Sequence, residues 1–280
     1  MHNLAGEVDR VVRAALEEDL RYGPDATTLA TVPADAVAVA ELTPRSAGTV
    51  AGAGLARAVF ETVLGDDLSV PHQAADGSAA VPGEPVLVVR GPVRGLLTAE
   101  RAALNLICHL SGVATATAAW VAAVAGTGCQ VRDTRKTLPG LRALEKYAVR
   151  CGGGVNHRLG LGDAILIKDN HVLAAGSVRA ALAAARAYAP DLPCEVEVDT
   201  LDQLDEALAE QAELVLLDNF SPEQCAEAVR RRQRTGTLLE ASGGLTLDVA
   251  RAYADTGVDY LAVGALTHSA PALDLGMDLR

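Results

Sequence analysis

From about residue 113 onward the sequence repeats one pattern. A short apolar run rich in β-formers ends on polar residues and is followed by an alanine-rich helical stretch. The runs are "CQVRDTRKT", "AILIKDN", "CEVEVDT", "ELVLLDNF", "TLLEASGG" and "VDYLAVGAL". Lys168 and Glu197 lie 29 residues apart, Glu197 and Asp218 21, Asp218 and Glu240 22. Strand–helix alternation with right-handed crossovers builds a parallel sheet. Six such units, with no G-x-G-x-x-G after the first strand, favour a closed β/α barrel over a doubly wound sheet. In a barrel the C-terminal strand ends meet on one rim, where such enzymes carry their active sites. Arg135-Lys136, Lys168-Asp169-Asn170, Glu197-Val198-Asp199, Asp218-Asn219 and Glu240-Ala241-Ser242 thereby become neighbours.

The first 110 residues have a different rhythm. "VDRVVRAALEEDL" (8–20) and "LARAVFETVLG" (55–65) have helical spacing. "AVAVAELTPRSAGTVAGAG" (36–54) predicts a hairpin, and "GEPVLVVRGPVRGLL" (83–97) a strand followed by a helix capped at Thr98. This predicts an antiparallel α+β unit. Half the residues are hydrophobic but only 3% are aromatic, so the core is built from Ala, Val and Leu. The longest apolar run, "VATATAAWVAAVA", has 13 residues, too few to span a bilayer, and predicts a buried helix. The N-terminal stretch lacks the apolar region of a signal peptide. Five cysteines, without any C-x-x-C pair, suit neither a disulfide framework nor a zinc site, and point to free thiols in a reducing cytoplasm.

A net charge of −12 argues against nucleic acid or an anionic membrane as partner. Yet Arg132–Lys168 carries eight basic residues against three acids, and all three lysines of the chain, Lys136, Lys146 and Lys168, fall inside it. A local cationic patch in an acidic protein predicts a small anionic ligand. Arg135, Lys136, His157, Arg158 and Lys168 sit on or near strand ends or in "CGGGVNHRLGLGD" and form the cationic wall. Arg142, Lys146 and Arg150 in "GLRALEKYAVR" are expected on an exposed helix face with Glu145 as partner. Glu197 and Asp218 form the opposite wall. Carboxylates facing an anion need a bridging divalent cation or ligand hydroxyls, and Mg2+ suits one or two carboxylates plus phosphates. Asp199 competes as a cap of the following helix. Ser242, Gly243 and Gly244, with Gly264 and Ala265, occupy the turns after the last two strands, where barrels bind phosphate. His171 and His268 are expected to be structural. An aldolase using Lys168 for a Schiff base, or an anion-binding protein without catalysis, would share these features.

"DTRKTLPGLRALEKYAVRCGGGVNHRLGLGDAILIKDNH", followed by "EVEVD", "LLDNF", "EASGG" and "TGVDYLAVGALTHS", resembles the quinolinate phosphoribosyltransferase family, as do "EEDLRYGPDATT" and "GLLTAERAALNLICHLSGVATAT". The likeness implies a smaller N-terminal α/β sandwich (1–112), an incomplete parallel β/α barrel (113–270) and a C-terminal segment (271–280) that packs back on the sandwich. It implies transfer of phosphoribose from phosphoribosyl pyrophosphate to quinolinate with loss of CO2, giving nicotinate mononucleotide. A related enzyme for another heteroaromatic carboxylate would share the pattern. Arg135, Lys136, His157, Arg158 and Lys168 would then hold the quinolinate carboxylates. Glu197 and Asp218 would hold the ribose hydroxyls and Mg2+-pyrophosphate, and the two glycine turns the 5′-phosphate. Either Lys136 or Lys168 would protonate the decarboxylated ring. A homodimer, or a hexamer of dimers, in which Arg101 enters the partner's site, is also implied.

Overall fold

The computed structural model describes residues 4–232 and 235–280. In chain order the elements begin with α1 (Ala5–Leu20), α2 (Ala26–Thr31), β1 (Val37–Pro44), β2 (Gly48–Thr49), α3 (Ala53–Leu64), β3 (Ser69–Gln73), β4 (Ala79–Ala80), β5 (Leu87–Pro92) and α4 (Val93–Ala123). They continue with β6 (Gln130–Arg132), α5 (Arg142–Cys151), β7 (Ile165–Ile167), α6 (Asp169–Ala175), α7 (Val178–Tyr188), β8 (Cys194–Val198), α8 (Leu201–Ala209) and β9 (Leu214–Asp218). The last are α9 (Pro222–Arg232), β10 (Leu238–Ser242), α10 (Ala250–Ala254), β11 (Tyr260–Ala262), α11 (Ala265–His268) and β12 (Leu275–Leu279). Contacts gather them into two units. One comprises Met1–Ala118, Thr137–Gly153 and Leu266–Arg280, the other Ala119–Lys136 and Gly154–Ala265.

In the first unit an antiparallel sheet runs in the order β12-β1-β5-β3. Ala40 and Leu42 of β1 are fully buried and stand two residues apart, the period of a strand with one face on a core. The expected hairpin at 36–54 does not form. β1 pairs with β5 and β12, and β2 pairs with β4 instead. Both partners of β1 are distant in sequence, so the local turn residues could not reveal them. Thr98 is no cap either. α4 starts at Val93, and the Thr98 hydroxyl donates to Arg94 O inside it. The run before it reads equally well as strand or first turn, and Pro92 marks the switch. By length and composition alone α4 would cross a membrane. Its apolar stripe, Leu96, Ala99, Ala103, Ile107, Leu110 and Val113, is instead buried core. The stretch around Pro271 lies directly on α4, because a Cβ on Gly112 would stand 2.2 Å from Pro271 O. The Leu273 amide then donates to Cys108 O at 2.9 Å.

The second unit holds all six runs read from the sequence as strands of one parallel sheet, in the order β6-β11-β10-β9-β8-β7. Consecutive strands are neighbours and the first pairs with the last, which is the order of a ring. The ring is interrupted between β6 and β7, where one isolated bridge joins Arg132 and Val155. Between these two strands the chain supplies Thr137–Gly153 to the first unit. The architecture is therefore α/β, one unit an incomplete parallel barrel and the other an antiparallel sheet with helices. β8 is buried from Glu195 to Val198 and β10 from Leu239 to Ala241, as expected for parallel strands covered on both faces. Glu195 and Glu240 are thus acids inside a barrel.

Candidate active site

The strand ends of the second unit enclose a cavity of about 310 Å³. Its lining includes Thr134, Arg135, Lys136, His157, Arg158, Lys168, Glu197, Asp218, Glu240 and Ser242. Eight of the thirteen positions singled out from the sequence are in this lining. Gly243, Gly244 and Gly264 are in the adjoining turns and Ala265 opens α11, and none of the four is in the lining. Arg101 is also outside it, exposed on α4. Since α4 begins at Val93, Arg101 lies beyond the first turn, and its charge does not oppose the helix dipole there.

Two features make the cationic wall a receptor for an anion. The Nε atoms of Arg135 and Arg158 are buried and without a hydrogen-bond partner. Burial, and next the charge of Arg135, push the Arg158 guanidinium below its ordinary pKa. Two like charges with unmet buried donors are stabilised by a ligand that accepts from both. Arg158 is held from behind, its Nη1 donating to Ala164 O at 3.2 Å.

On the other wall Lys168 forms an ion pair with Glu197. The Lys168 backbone is fixed by His171, whose Nδ1 accepts the Lys168 amide at 2.9 Å and whose own amide donates back to Lys168 O at 2.8 Å. His171 is therefore what anchors the end of β7. Asp218 lies one strand further on, and burial, then the nearby Asp199, raise its pKa. Asp199 does not cap α8. Thr200 does, accepting from Gln203 N, while the Asp199 amide donates to Gln203 Oε1.

The His157 ring is held at both nitrogens: the Arg158 amide lies 2.7 Å from Nδ1, and Nε2 pairs with Glu195 Oε2 at 2.8 Å. His157 lines the cavity. Its backbone is set by Asp133, which is fully buried and accepts the His157 amide at 2.8 Å and the Asn156 side chain at 2.5 Å.

The sequence reading placed Glu240 at a strand end but missed Glu195 and Arg132 of this buried floor. Glu195 and Glu240 face His157, and Arg132 donates to Glu240 Oε2 at 2.7 Å while stacking over Tyr260, 4.7 Å from its ring centre. The alternation "EVE" in a strand buried on both faces was the available signal, since it sends Glu195 and Glu197 to the same side. Among the described residues His157, Glu195 and Glu240 form one group whose potential metal-ligating atoms lie within 4.8 Å of one another. His157 Nε2 pairs with Glu195 Oε2 and Arg132 with Glu240 Oε2, while the second oxygens, Glu195 Oε1 and Glu240 Oε1, are buried without a hydrogen-bond partner.

Burial pushes both acids up to about 7. Glu197 adds to this at Glu195, and Glu195 at Glu240, while Arg132 opposes it at both. A carboxyl whose pKa is raised on folding favours the folded state below its unfolded pKa, 4.5 here, and loses that contribution as pH rises through about 7. Stability should therefore fall as pH rises from about 4.5 to about 7, by on the order of 3 kcal/mol from Glu240. Glu240→Gln keeps an acceptor for Arg132 and removes the titration. Denaturant unfolding at several pH values should show a flatter profile in the variant, and an unchanged slope would contradict this account.

Lys146 and Glu145 lie in the first unit and are a correction. Neither is on an exposed face: both have 0% of their surface accessible. Glu145 accepts from Leu138 N at 3.0 Å and pairs with His109 Nε2 at 2.8 Å. Arg150 is exposed as expected. In α5 the apolar Leu144, Ala148 and Val149 are buried, and the charged Glu145 and Lys146 are buried with them.

Residues 113–278 match the family described as quinolinate phosphoribosyl transferase, C-terminal domain, and residues 25–111 its N-terminal domain. The nicotinate-nucleotide pyrophosphorylase (carboxylating) of Mycobacterium leprae is 62% identical over 271 residues, covering 96% of this chain and 95% of that one. The human protein of that name is 42% identical over 245 residues, covering 86% and 82%. The crystal structure of NadC from Streptococcus pyogenes superposes with a TM-score of 0.92 at 42% identity, covering 98% of this chain and 96% of that one.

Proposed function

Because the chain belongs to the quinolinate phosphoribosyltransferase family, we propose that the barrel cavity carries out the family's reaction with the residues that line it. The enzyme converts quinolinate to nicotinate mononucleotide in NAD biosynthesis, a pentosyl transfer from phosphoribosyl pyrophosphate. The observation that supports the assignment of the site is the pair of buried, unpartnered Nε donors of Arg135 and Arg158 in one cavity. A pyridine dicarboxylate supplies two planar acceptors for two guanidinium forks.

Arg135, Arg158 and Lys136 bind and orient quinolinate, with the ring of His157 beneath. The pyridine nitrogen attacks C1′ of the ribose, and the C1′–O bond breaks with its electron pair leaving on pyrophosphate. Glu197 and Asp218 hold the ribose hydroxyls and stabilise the positive character that develops at C1′. The ring nitrogen is now cationic. The bond from the adjacent carbon to its carboxylate breaks, CO2 departs, and the electron pair remains on that carbon beside the positive nitrogen. That carbon then takes a proton, for which the ammonium groups of Lys136 and Lys168 are the candidates. A site that excludes water favours this loss of charge. The 5′-phosphate is held by Ser242, Gly243, Gly244, Gly264 and Ala265.

Glu197 and Asp218 offer hard oxygen donors on adjacent strands, which fits Mg2+ held together with substrate phosphates. When bound, Mg2+ neutralises charge on the leaving pyrophosphate. Five free cysteines support a cytoplasmic location, and the acidic surface supports neither nucleic acid nor membrane as a partner.

Arg158→Ala tests the quinolinate assignment. The expected result is a rise in KM for quinolinate of at least about tenfold, with KM for phosphoribosyl pyrophosphate changed by less than about twofold, since binding equal in ground and transition states appears mainly in KM. A larger effect on the phosphoribosyl substrate would assign Arg158 to a phosphate.

The working form is a homodimer, or a hexamer of dimers, with Arg101 completing the partner's site. Arg101→Ala and Lys168→Ala are each inactive alone in this reading. Refolded together at random, half the dimers are mixed, and each mixed dimer has one intact site. Activity should return to about a quarter of wild type, because transition-state binding needs both residues at one site. No recovery in confirmed mixed dimers would place Arg101 in its own subunit's site or outside any.

A further inference from the structure

Asn219 follows Asp218 at the end of β9 with φ of 55°. Among the described residues only Gln211 and Asn219 are non-glycine residues in this left-handed region. Glycine adopts such a conformation at less cost, so a side chain kept here has a use. The Asn219 side-chain amide donates to Asp218 Oδ2 at 2.6 Å. Its backbone amide donates to Ser242 O at 2.9 Å, across to the end of the neighbouring strand β10. Gly243, itself at φ 100°, leaves room for it: a Cβ there would stand 2.2 Å from Asn219 Oδ1 and 2.8 Å from Asn219 N. With the amide nitrogen turned to the carboxylate, the amide oxygen is the atom that faces Gly243. One residue thus ties a carboxylate of the cavity to the turn after the next strand.

We propose that Asn219 is a positioning residue that holds the Asp218 carboxylate by one oxygen, leaving the other for the phosphoribosyl substrate, and that sets the Ser242–Gly243 turn at the same time. This rests on the reading of Asp218 as a group that binds phosphoribosyl pyrophosphate. Asp218 lines the cavity with Glu197, and Asp199 repels its charge while Lys168, Lys136 and the Asn219 hydrogen bond favour it, so the carboxylate has charges of both signs pulling on its rotamer. A donor on one oxygen selects one rotamer among these competing charges.

The test is steady-state kinetics and thermal melting of the full-length protein carrying Asn219→Gly, Asn219→Ala, Asn219→Asp or Asp218→Ala, with quinolinate, phosphoribosyl pyrophosphate and Mg2+. Glycine accepts the left-handed backbone and alanine resists it, so Asn219→Gly should melt above Asn219→Ala. Both lack the amide, and kcat/KM for phosphoribosyl pyrophosphate should fall about 10- to 100-fold in both, the size expected for a hydrogen bond to a charged group. KM for quinolinate should stay within about twofold. Asn219→Asp keeps the shape and sets two carboxylates against each other, so it should be the most impaired. If activity instead follows stability, with Asn219→Gly close to wild type, the residue is merely structural and the proposal is overturned. Wild-type kinetics in Asn219→Asp, or a selective rise in the quinolinate KM, overturns it as well. Asp218→Ala separates the two levels. Full activity there refutes the site assignment and this inference together, whereas loss of activity there beside a normal Asn219→Gly refutes the inference alone.

Discussion

Lys168→Ala should lower kcat by about 100- to 1,000-fold while the protein stays folded. That is the range for removing one preorganised charge from a site where charge changes during reaction. Lys168 stands at the end of β7, paired with Glu197 and with nearly half its side chain accessible. Its backbone is fixed by His171 whatever the side chain is, so the strand end should survive truncation. An ion pair with one partner this exposed contributes less than about 1 kcal/mol to folding. The check is single-turnover kinetics beside a melting curve. A variant with kcat within about fivefold of wild type would remove Lys168 from the chemistry.

Lys146→Ala should fail in the opposite way. Its side chain is fully buried in α5, beside a fully buried Glu145. Truncation removes the long stem, leaves a cavity, and strips a partner from the groups that the ammonium satisfies. Such losses cost about 2–5 kcal/mol. The expected result is a lower denaturation midpoint and poor yield, with the folded fraction retaining near-normal KM for both substrates. A melting temperature within about 1 °C of wild type would show that the site collapses without cost. Two of the chain's three lysines then stand in opposite surroundings: Lys168 lines the cavity and Lys146 is fully buried in α5.

The distinction was not legible in the sequence. "GLRALEKYAVR" has an apolar stripe at Leu144, Ala148 and Val149, and a charged residue off that stripe normally meets water. Only packing within the first unit covers the second side of α5. The same limit applies to His157. Its residue type allows a cation, and its neighbours Asn156 and Arg158 look like a polar rim. What holds its ring is the Arg158 amide at one nitrogen and Glu195, 38 positions further along, at the other.

What the sequence by itself determined was the second unit's plan. All six strands, their parallel order and the polar residues at their C-terminal ends follow from a period that is local, because burial on both faces demands a continuous apolar run and each crossover demands a helix. From that plan alone Arg135, Lys136, Arg158, Lys168, Glu197, Asp218 and Ser242 could be placed around one mouth, and the structure brings them there. Only the tertiary structure decided that the ring is broken between β6 and β7, that β1 pairs with strands far along the chain, and that Glu195, Glu240 and Arg132 lie beneath the site. The physical reason is range. Periodicity is a property of neighbouring residues, whereas desolvation, protonation state and strand partnership depend on which distant groups arrive within a few ångströms.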